Sequence, residues 1–334
     1  MILLGNLIRT SQNRRGNNIA LEPNDEDQDV TFRYRKIPSI TFKENKYKNY
    51  CGVEIECINS GHKQFTKEEL RDYKFCKVHD GSLSMYGLEF DSQPLQGDNM
   101  LQIIKRFTTE LKNRGYTTDS TCGTHIHLGF SEKDLLLIKK LYTFYSKYED
   151  YFFKMLLKGR DNNIFCRRFR GLDKYSYEDI LNVKSLEDFK KMYYETNFYF
   201  KTAKNRHGYK KRYCWANFHS LFYRGTLEIR SHEGTIDGDE IVNWLMLHLR
   251  LINYLKTRPI EEVKDMKINE KDFLSIFTPE QKKYIKSRWE LYNNPNVAEP
   301  KKELPISRQM EIISDAVIVL SGLQRHINSS PRPS

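Results

Sequence analysis

The chain has no apolar run of about 18 residues, so no membrane-spanning helix is expected. Its opening stretch, Met1-Ile-Leu-Leu-Gly-Asn-Leu-Ile8, is too short and too polar in its flanks to read as a secretory signal. Cysteine is sparse. The six residues Cys51, Cys57, Cys76, Cys122, Cys166 and Cys214 are scattered over 334 positions, which excludes the disulfide framework of a small secreted domain. A reducing, cytoplasmic setting is the expectation. No internal repeat is present. Hydrophobic residues make up only 39%, yet 21 Tyr, 19 Phe and 3 Trp supply core volume, so a globular core is expected rather than disorder. The formal charge of +11 biases partners toward anions, or marks a Lys-rich solvated surface.

Residues 1–47 read as an extended or poorly ordered arm, with Phe32 to Phe42 alternating enough for an edge strand. From Tyr50 the character changes. Strands are predicted at Cys51–Ile58, Leu88–Ser92, His125–Phe130, Tyr213–Phe218 and Gly225–Ser231, the last two consecutive. Helices are predicted near Thr66–Tyr73, at Met100–Arg114, Asp134–Leu157, Ser176–Leu181, Ser185–Tyr194 and Asp239–Lys256, and over a last segment Ser307–Leu323. Asp80-Gly81 marks a turn, and Asn293 to Pro300 a linker. Strands interleaved with helices indicate an α+β fold, an antiparallel or mixed sheet with helices packed on its outer face. Residues 259–334 form a helical C-terminal extension that either packs on the core or builds a dimer.

Three stretches set acids, histidines or an arginine two residues apart: Glu54/Glu56, His125/His127 and Glu228/Arg230/His232. A fourth adds Glu89. Two residues is the strand period, so each set points from one face of a sheet while Ile55, Ile126, Leu227 and Ile229 face the other. Glu54 and Glu56 would lie about 7 Å apart, where bare carboxylates repel unless a cation sits between them. Paired histidines between glycines, in Gly123-Thr-His-Ile-His-Leu-Gly129, suit a divalent metal or phosphate oxygens. Glu228 beside Arg230 is either an in-strand ion pair or a metal ligand next to a phosphate-binding guanidinium. Asn217 and Arg224 lie near the same strands. Arg160, Arg167 and Arg168, with Asn162 and Asn163, form a phosphate-contacting loop or a solvated basic one. Cys57, His62, Cys76 and His79 are of types that hold structural zinc, but their irregular spacing and the lack of a second cluster favour buried free cysteine.

In order, the motifs Glu54-Ile-Glu56, Asp80-Gly-Ser-Leu83, Gly87-Leu-Glu89, Gly123-Thr-His-Ile-His-Leu-Gly129 and Gly225-Thr-Leu-Glu-Ile-Arg230 resemble the putative amidoligase family of glutamine-synthetase-like carboxylate–amine ligases. The likeness runs from about Tyr50 to Leu255, within a catalytic domain at 48–258. It implies a funnel of antiparallel strands, with ATP entering one end and two or three Mg²⁺ (or Mn²⁺) at the waist. It implies that Glu54, Glu56, Glu89, His125 and Glu228 are metal ligands, with Glu54, Glu228 and Arg230 carrying the catalysis. His127, Arg230, Asn217 and Arg160 would bind the nucleotide, and His125 and His127 could exchange roles. The chemistry implied is ATP-dependent amide or isopeptide bond formation through an acyl phosphate. A lid at Arg160–Arg170 or Lys201–Arg212 would shield that intermediate, with Asp91 or Glu233 as base. The sequence departs from the family at Phe90-Asp-Ser-Gln-Pro94, where Ser-Pro-Pro is more usual. The partners implied are a carboxylate donor and an amine acceptor, and the basic charge suits a peptide or acidic substrate. The alternatives are an amine or guanidino kinase on the same scaffold, a non-catalytic nucleic-acid-binding protein, and a zinc hydrolase. The last lacks a His-Glu-x-x-His helix and a third histidine ligand.

Overall fold

The computed structural model describes residues 49–59, 63–78, 83, 86–97, 99–119, 121–157, 159–160, 163–169, 175–194 and 210–293. The expected arm at 1–47, the Asp80-Gly81 turn, most of the 293–300 linker and the helix at Ser307–Leu323 lie outside these residues.

The elements run β1 (Cys51–Ile58), α1 (Lys67–Tyr73), β2 (Phe75–Val78), β3 (Gly87–Ser92), α2 (Asn99–Asn113), β4 (Gly123–Gly129), α3 (Leu135–Phe153), α4 (Tyr177–Asn182), α5 (Leu186–Tyr194), β5 (Ala216–Asn217), α6 (Phe218–Arg224), β6 (Thr226–Glu233), α7 (Gly238–Thr257), α8 (Ile260–Asp265), α9 (Glu270–Ser275) and α10 (Pro279–Asn293). The fold is α+β. The six strands form one open sheet in the order β2-β3-β1-β4-β6-β5, and every neighbouring pair is antiparallel. Val53, Ile55, Phe90, Ile126, Leu128, Leu227 and Ile229 join the core cluster with residues of α2, α3 and α7. The opposite face is also buried, by polar side chains, so β1 and β4 show almost no alternation in exposure.

One expected strand is mostly something else. The stretch Tyr213–Phe218 contributes only the two-residue β5, and the chain then turns into α6. Phe218, Leu221 and Phe222 follow helical spacing and are buried. The Asn217 side chain accepts from the Ser220 N–H at 3.2 Å and caps the helix start. Gly225, at φ 85°, ends it in the left-handed conformation that glycine adopts freely. The short β2, an edge strand carrying Lys77, has too little periodicity to be read from sequence.

Helices α8, α9 and α10 pack on α3 and α7. Two lysines on α3, seven residues apart and so on one helix face, tie them down. Lys140 Nζ donates to the carbonyls of Leu255 (2.7 Å) and Arg258 (2.6 Å) at the end of α7. Lys147 Nζ donates to those of Lys264 and Met266, both at 2.6 Å, at the end of α8. Helix C-termini leave carbonyls without intrahelical partners and carry partial negative charge, so an ammonium suits both places. No described helix is long and apolar enough to cross a membrane.

Candidate active site

Strand register assembles the polar face in rows. Asp91, Glu54 and His125 stand side by side across β3, β1 and β4. Glu89 is opposite Glu56, and His127, Glu228 and Asn217 are aligned across β4, β6 and β5. Glu54, Glu56, Glu89, His125, His127, Glu228 and Asn217 are all buried. Glu54 is the hub. Its Oε2 lies 2.8 Å from His125 Nδ1, and its Oε1 lies 2.7 Å from His127 Nε2 and accepts from Arg224 Nη1 at 3.1 Å. The other ring nitrogen of His127 meets the Thr226 hydroxyl at 2.8 Å, which fixes the ring. Glu228 accepts from Asn217 Nδ2 at 2.8 Å and pairs closely with Arg230 Nη1. Glu56 accepts the Gly123 N–H at 2.5 Å.

These contacts set the charges. Burial opposes ionisation of Glu54, but the His127 charge and hydrogen bonds from both histidines hold its carboxyl well below the usual range. Burial likewise opposes the charge on Glu228, and Arg230 outweighs it, carrying the carboxyl down to about 2. Asp91 goes the other way. Burial, then the charge of Glu54, lifts it to about 7. Glu54, Glu56, Glu89 and Asp91 stand on β1 and β3, while the guanidiniums of Arg224 and Arg230 reach Glu54 and Glu228 from the β6 side.

Among the described residues, two groups of three side chains have the donor atoms to hold a cation. Ligand atoms of Glu54, His127 and Glu228 lie within 4.8 Å of one another, and so do those of Glu54, Glu89 and Asp91. The three-carboxylate group suits Mg²⁺, which prefers oxygen, and the mixed group suits Mn²⁺, which also accepts imidazole. His127 rather than His125 is the histidine within these groups, and Glu56 belongs to neither.

The two-residue period carries through Glu228 and Arg230 but not to His232. The β4–β6 register slips between Thr124 and Ile126, a bulge that sets His232 opposite Thr124. His232 packs on Trp244 of α7, ring centroids 5.1 Å apart, and faces Glu240 at 3.2 Å. Arg160 staples the bulge. Its Nε donates to the Ser231 carbonyl (3.1 Å) and its Nη2 to those of His232 (2.9 Å) and Arg230 (3.3 Å). The same Nη2 lies 3.4 Å from the point that a Cβ on Gly123 would occupy, beside His125 and Glu56. Arg168 pairs with Asp150 (2.5 Å), whereas Arg167 is exposed. Within the first lid candidate, Arg160–Arg170, the Arg167 N–H donates to the Tyr213 carbonyl at 2.7 Å, and residues 161, 162 and 170 lie outside the described residues. Residues 201–209 of the second lid candidate lie outside the described residues.

Glu233 is taken by Arg288 of α10 (2.6 Å) and Tyr292 (2.7 Å). Burial raises its carboxyl, but His232 and Arg288 bring it to about 2, which unfits it as a base. His62 and His79 lie outside the described residues, Cys57 and Cys76 are buried and in no disulfide, and the Cys76 thiol donates to the Asp91 carbonyl at 3.4 Å. Sequence reasoning gave no role to Arg224 and Thr226. Thr226 was signalled by its place in Gly225-Thr-Leu-Glu228. Arg224 was not, because only the unforeseen helix α6 delivers it to Glu54.

A comparison with curated proteins gave no match. A family model described as "Putative amidoligase enzyme" matches residues 41–252 and so spans every strand of the sheet. That span is well over half of the chain and contains each acid, histidine and arginine of the rows described above, and the chain belongs to this amidoligase family.

Proposed function

We propose that the chain is an ATP- and Mg²⁺-dependent carboxylate–amine ligase that makes an amide or isopeptide bond through an acyl phosphate. The observation that carries this reading is the convergence of Glu54, His127 and Glu228 within 4.8 Å, flanked by Arg224 and Arg230, in a chain of this family. Glu54, Glu56, Glu89, Glu228 and His125, together with Asp91 and His127, would hold divalent cations. A cation so held supplies charge neutralisation and polarises the transferring phosphoryl group.

The chain's own residues do the rest. Arg230, beside Glu228, is placed to neutralise charge on the γ-phosphoryl as it moves, and Arg224 adds a second guanidinium. Asn217 fixes the Glu228 carboxylate, and Thr226 fixes the His127 ring. In the first half-reaction a carboxylate oxygen of the donor attacks the γ-phosphorus. The bond to the β–γ bridging oxygen breaks, and ADP leaves with that electron pair. The amine nitrogen of the acceptor then attacks the acyl carbon, the carbon–oxygen bond to phosphate breaks, and the amine proton passes to a base. The acyl phosphate must be kept from water in between. The basic composition suits a donor that is a peptide or another acidic molecule, and six buried cysteines outside any disulfide suit a reducing cytoplasm.

The test is ADP release by the purified protein with Mg²⁺, ATP, hydroxylamine and a pool of candidate carboxylates, alongside Glu54→Ala and Arg230→Ala. Hydroxylamine traps an acyl phosphate as a hydroxamate. Hydroxamate formed by the wild type and lost in both variants is the expected result. ADP release without hydroxamate would move the reading to a phosphoryl transferase, and no nucleotide binding at all would sink both.

A further inference from the structure

The loop that leads from Arg160 back to the sheet carries two large apolar side chains in water. Ile164 is 57% and Phe165 38% exposed. The loop is well tied. Asn163 Oδ1 accepts the Phe165 N–H at 2.8 Å, the Asn163 carbonyl accepts the Cys166 N–H at 3.2 Å, and the buried Cys166 thiol donates to the Arg160 carbonyl at 3.0 Å. Beyond it, Arg167 bridges Cys214 in a short parallel pairing that extends the β5 edge. Phe165 is thus held part-exposed by its own backbone.

Its location supplies the reason. The Phe165 carbonyl accepts from Arg230 Nε at 3.0 Å, while Nη1 of the same guanidinium pairs with Glu228. The Phe165 ring meets Tyr213 edge to face, centroids 5.4 Å apart at 70°. Arg212 lies over Tyr213 at 5.0 Å, and Arg167 is exposed two residues along. A part-exposed aromatic ring flanked by arginines, one guanidinium away from the acidic rows, matches a ligand that is polyanionic at one end and aromatic at the other.

We propose that the Phe165 ring, braced edge to face by Tyr213 and with Ile164 beside it, is the platform on which the base of a nucleotide stacks while its phosphates lie toward Arg230. The assignment rests on the nucleotide reading given above. Stacking on an aromatic face needs no directional hydrogen bond and is worth a measurable share of nucleotide affinity.

The experiment titrates the full chain, in Mg²⁺, with ATP and separately with inorganic tripolyphosphate. It compares wild type, Phe165→Ala and Phe165→Trp by calorimetry. The wild type is expected to bind ATP more tightly than tripolyphosphate. Phe165→Ala should lose about tenfold on ATP, equal to 1.4 kcal/mol, leave tripolyphosphate affinity unchanged, and be rescued by Phe165→Trp. Equal weakening of both probes would overturn the platform, because it would show the residue acting on Arg230 through its backbone. Unchanged ATP affinity in Phe165→Ala would overturn it as well. If wild type binds neither probe, the nucleotide reading falls and the platform with it, a result distinct from either of those.

Discussion

Replacing Arg288 with Met should cost far more than its distance from the acidic rows suggests. Arg288 comes from α10, beyond the span matched by the family model, yet it is only 5% exposed. Its Nε donates to the Met155 carbonyl (2.8 Å), Nη2 pairs with Glu233 (2.6 Å), and Nη1 pairs with Glu240 (2.7 Å). Methionine keeps much of the apolar stem and removes the whole fork, leaving one carbonyl bare and two acids without their cation. Removing one partner of a buried ion pair costs about 3–5 kcal/mol. Tyr292 on Glu233 (2.7 Å) and Tyr284 on Glu240 (2.6 Å) remain as donors, so the low end, about 3 kcal/mol, is expected. At about 2–4 °C per kcal/mol for a domain of this size, Tm falls by about 6–12 °C. The assay is thermal and urea unfolding followed by circular dichroism. Arg288→Met/Glu233→Gln should recover part of the loss, since the second change removes a stranded charge. A single variant within about 1 kcal/mol of wild type would refute the reasoning. It would mean that α10 merely rests on the domain.

Four further outcomes are expected. His248 is fully buried, and burial, then the His232 charge, lowers its imidazole to about 3. The unfolded chain takes up this proton below the ordinary histidine range and the native state does not, so stability is complete above about pH 6.5 and falls by about 1.4 kcal/mol per pH unit below it. Urea unfolding at pH 7.5 and 5.5 should show this loss in wild type and a smaller one in His248→Gln; identical slopes would count against it. Asn217→Ala removes both a helix cap and a partner of Glu228, and should destabilise by about 1–2 kcal/mol. Asn217→Asp keeps the cap but sets a second carboxylate against Glu228, and should be the worse of the two by thermal melting without metal; the reverse order would show that only the cap matters. In Gly234→Ala the new Cβ would stand 2.3 Å from Cys122 Cβ and 2.9 Å from its backbone. It should cost at least about 1–3 kcal/mol in urea unfolding, and a wild-type midpoint would contradict the geometry. Lys147→Met bares the carbonyls of Val263, Lys264 and Met266 and should cost about 1–3 kcal/mol, chiefly by loosening α8, seen as faster amide exchange there.

Most of the sheet was legible because its strands carry chemistry at the strand period. Cys51–Ile58 falls where alternation of Glu54 and Glu56 with Val53, Ile55 and Cys57 sets it, and the His125/His127 pair marks β4 as plainly. The legibility ends where tertiary contacts override local pattern. Trp215, Asn217 and Phe218 read as a strand by composition, but Asn217 serves as a cap, and the helix that follows brings Arg224 over Glu54. A bulge has no signature in Glu228-Ile-Arg-Ser-His232, so His232 seemed to face the acids when it faces Trp244. Asp91 stood in plain view beside Glu89. Its weight came only from the register that sets it opposite Glu54. Arg160 was visible as a basic residue in a loop, but nothing local announces three strand carbonyls waiting for it.

Carboxylates crowd β1 and β3 while the guanidiniums of Arg224 and Arg230 enter from the β6 side, so the field across this face of the sheet is uneven. A ligand with unlike ends would be turned in that field before it makes contact, so orientation would begin during diffusion and not after docking. Such pre-alignment acts on the rate of arrival, and it weakens as salt shortens the reach of the charges. The face would then act as a compass, and the order of its strands sets which way the needle points.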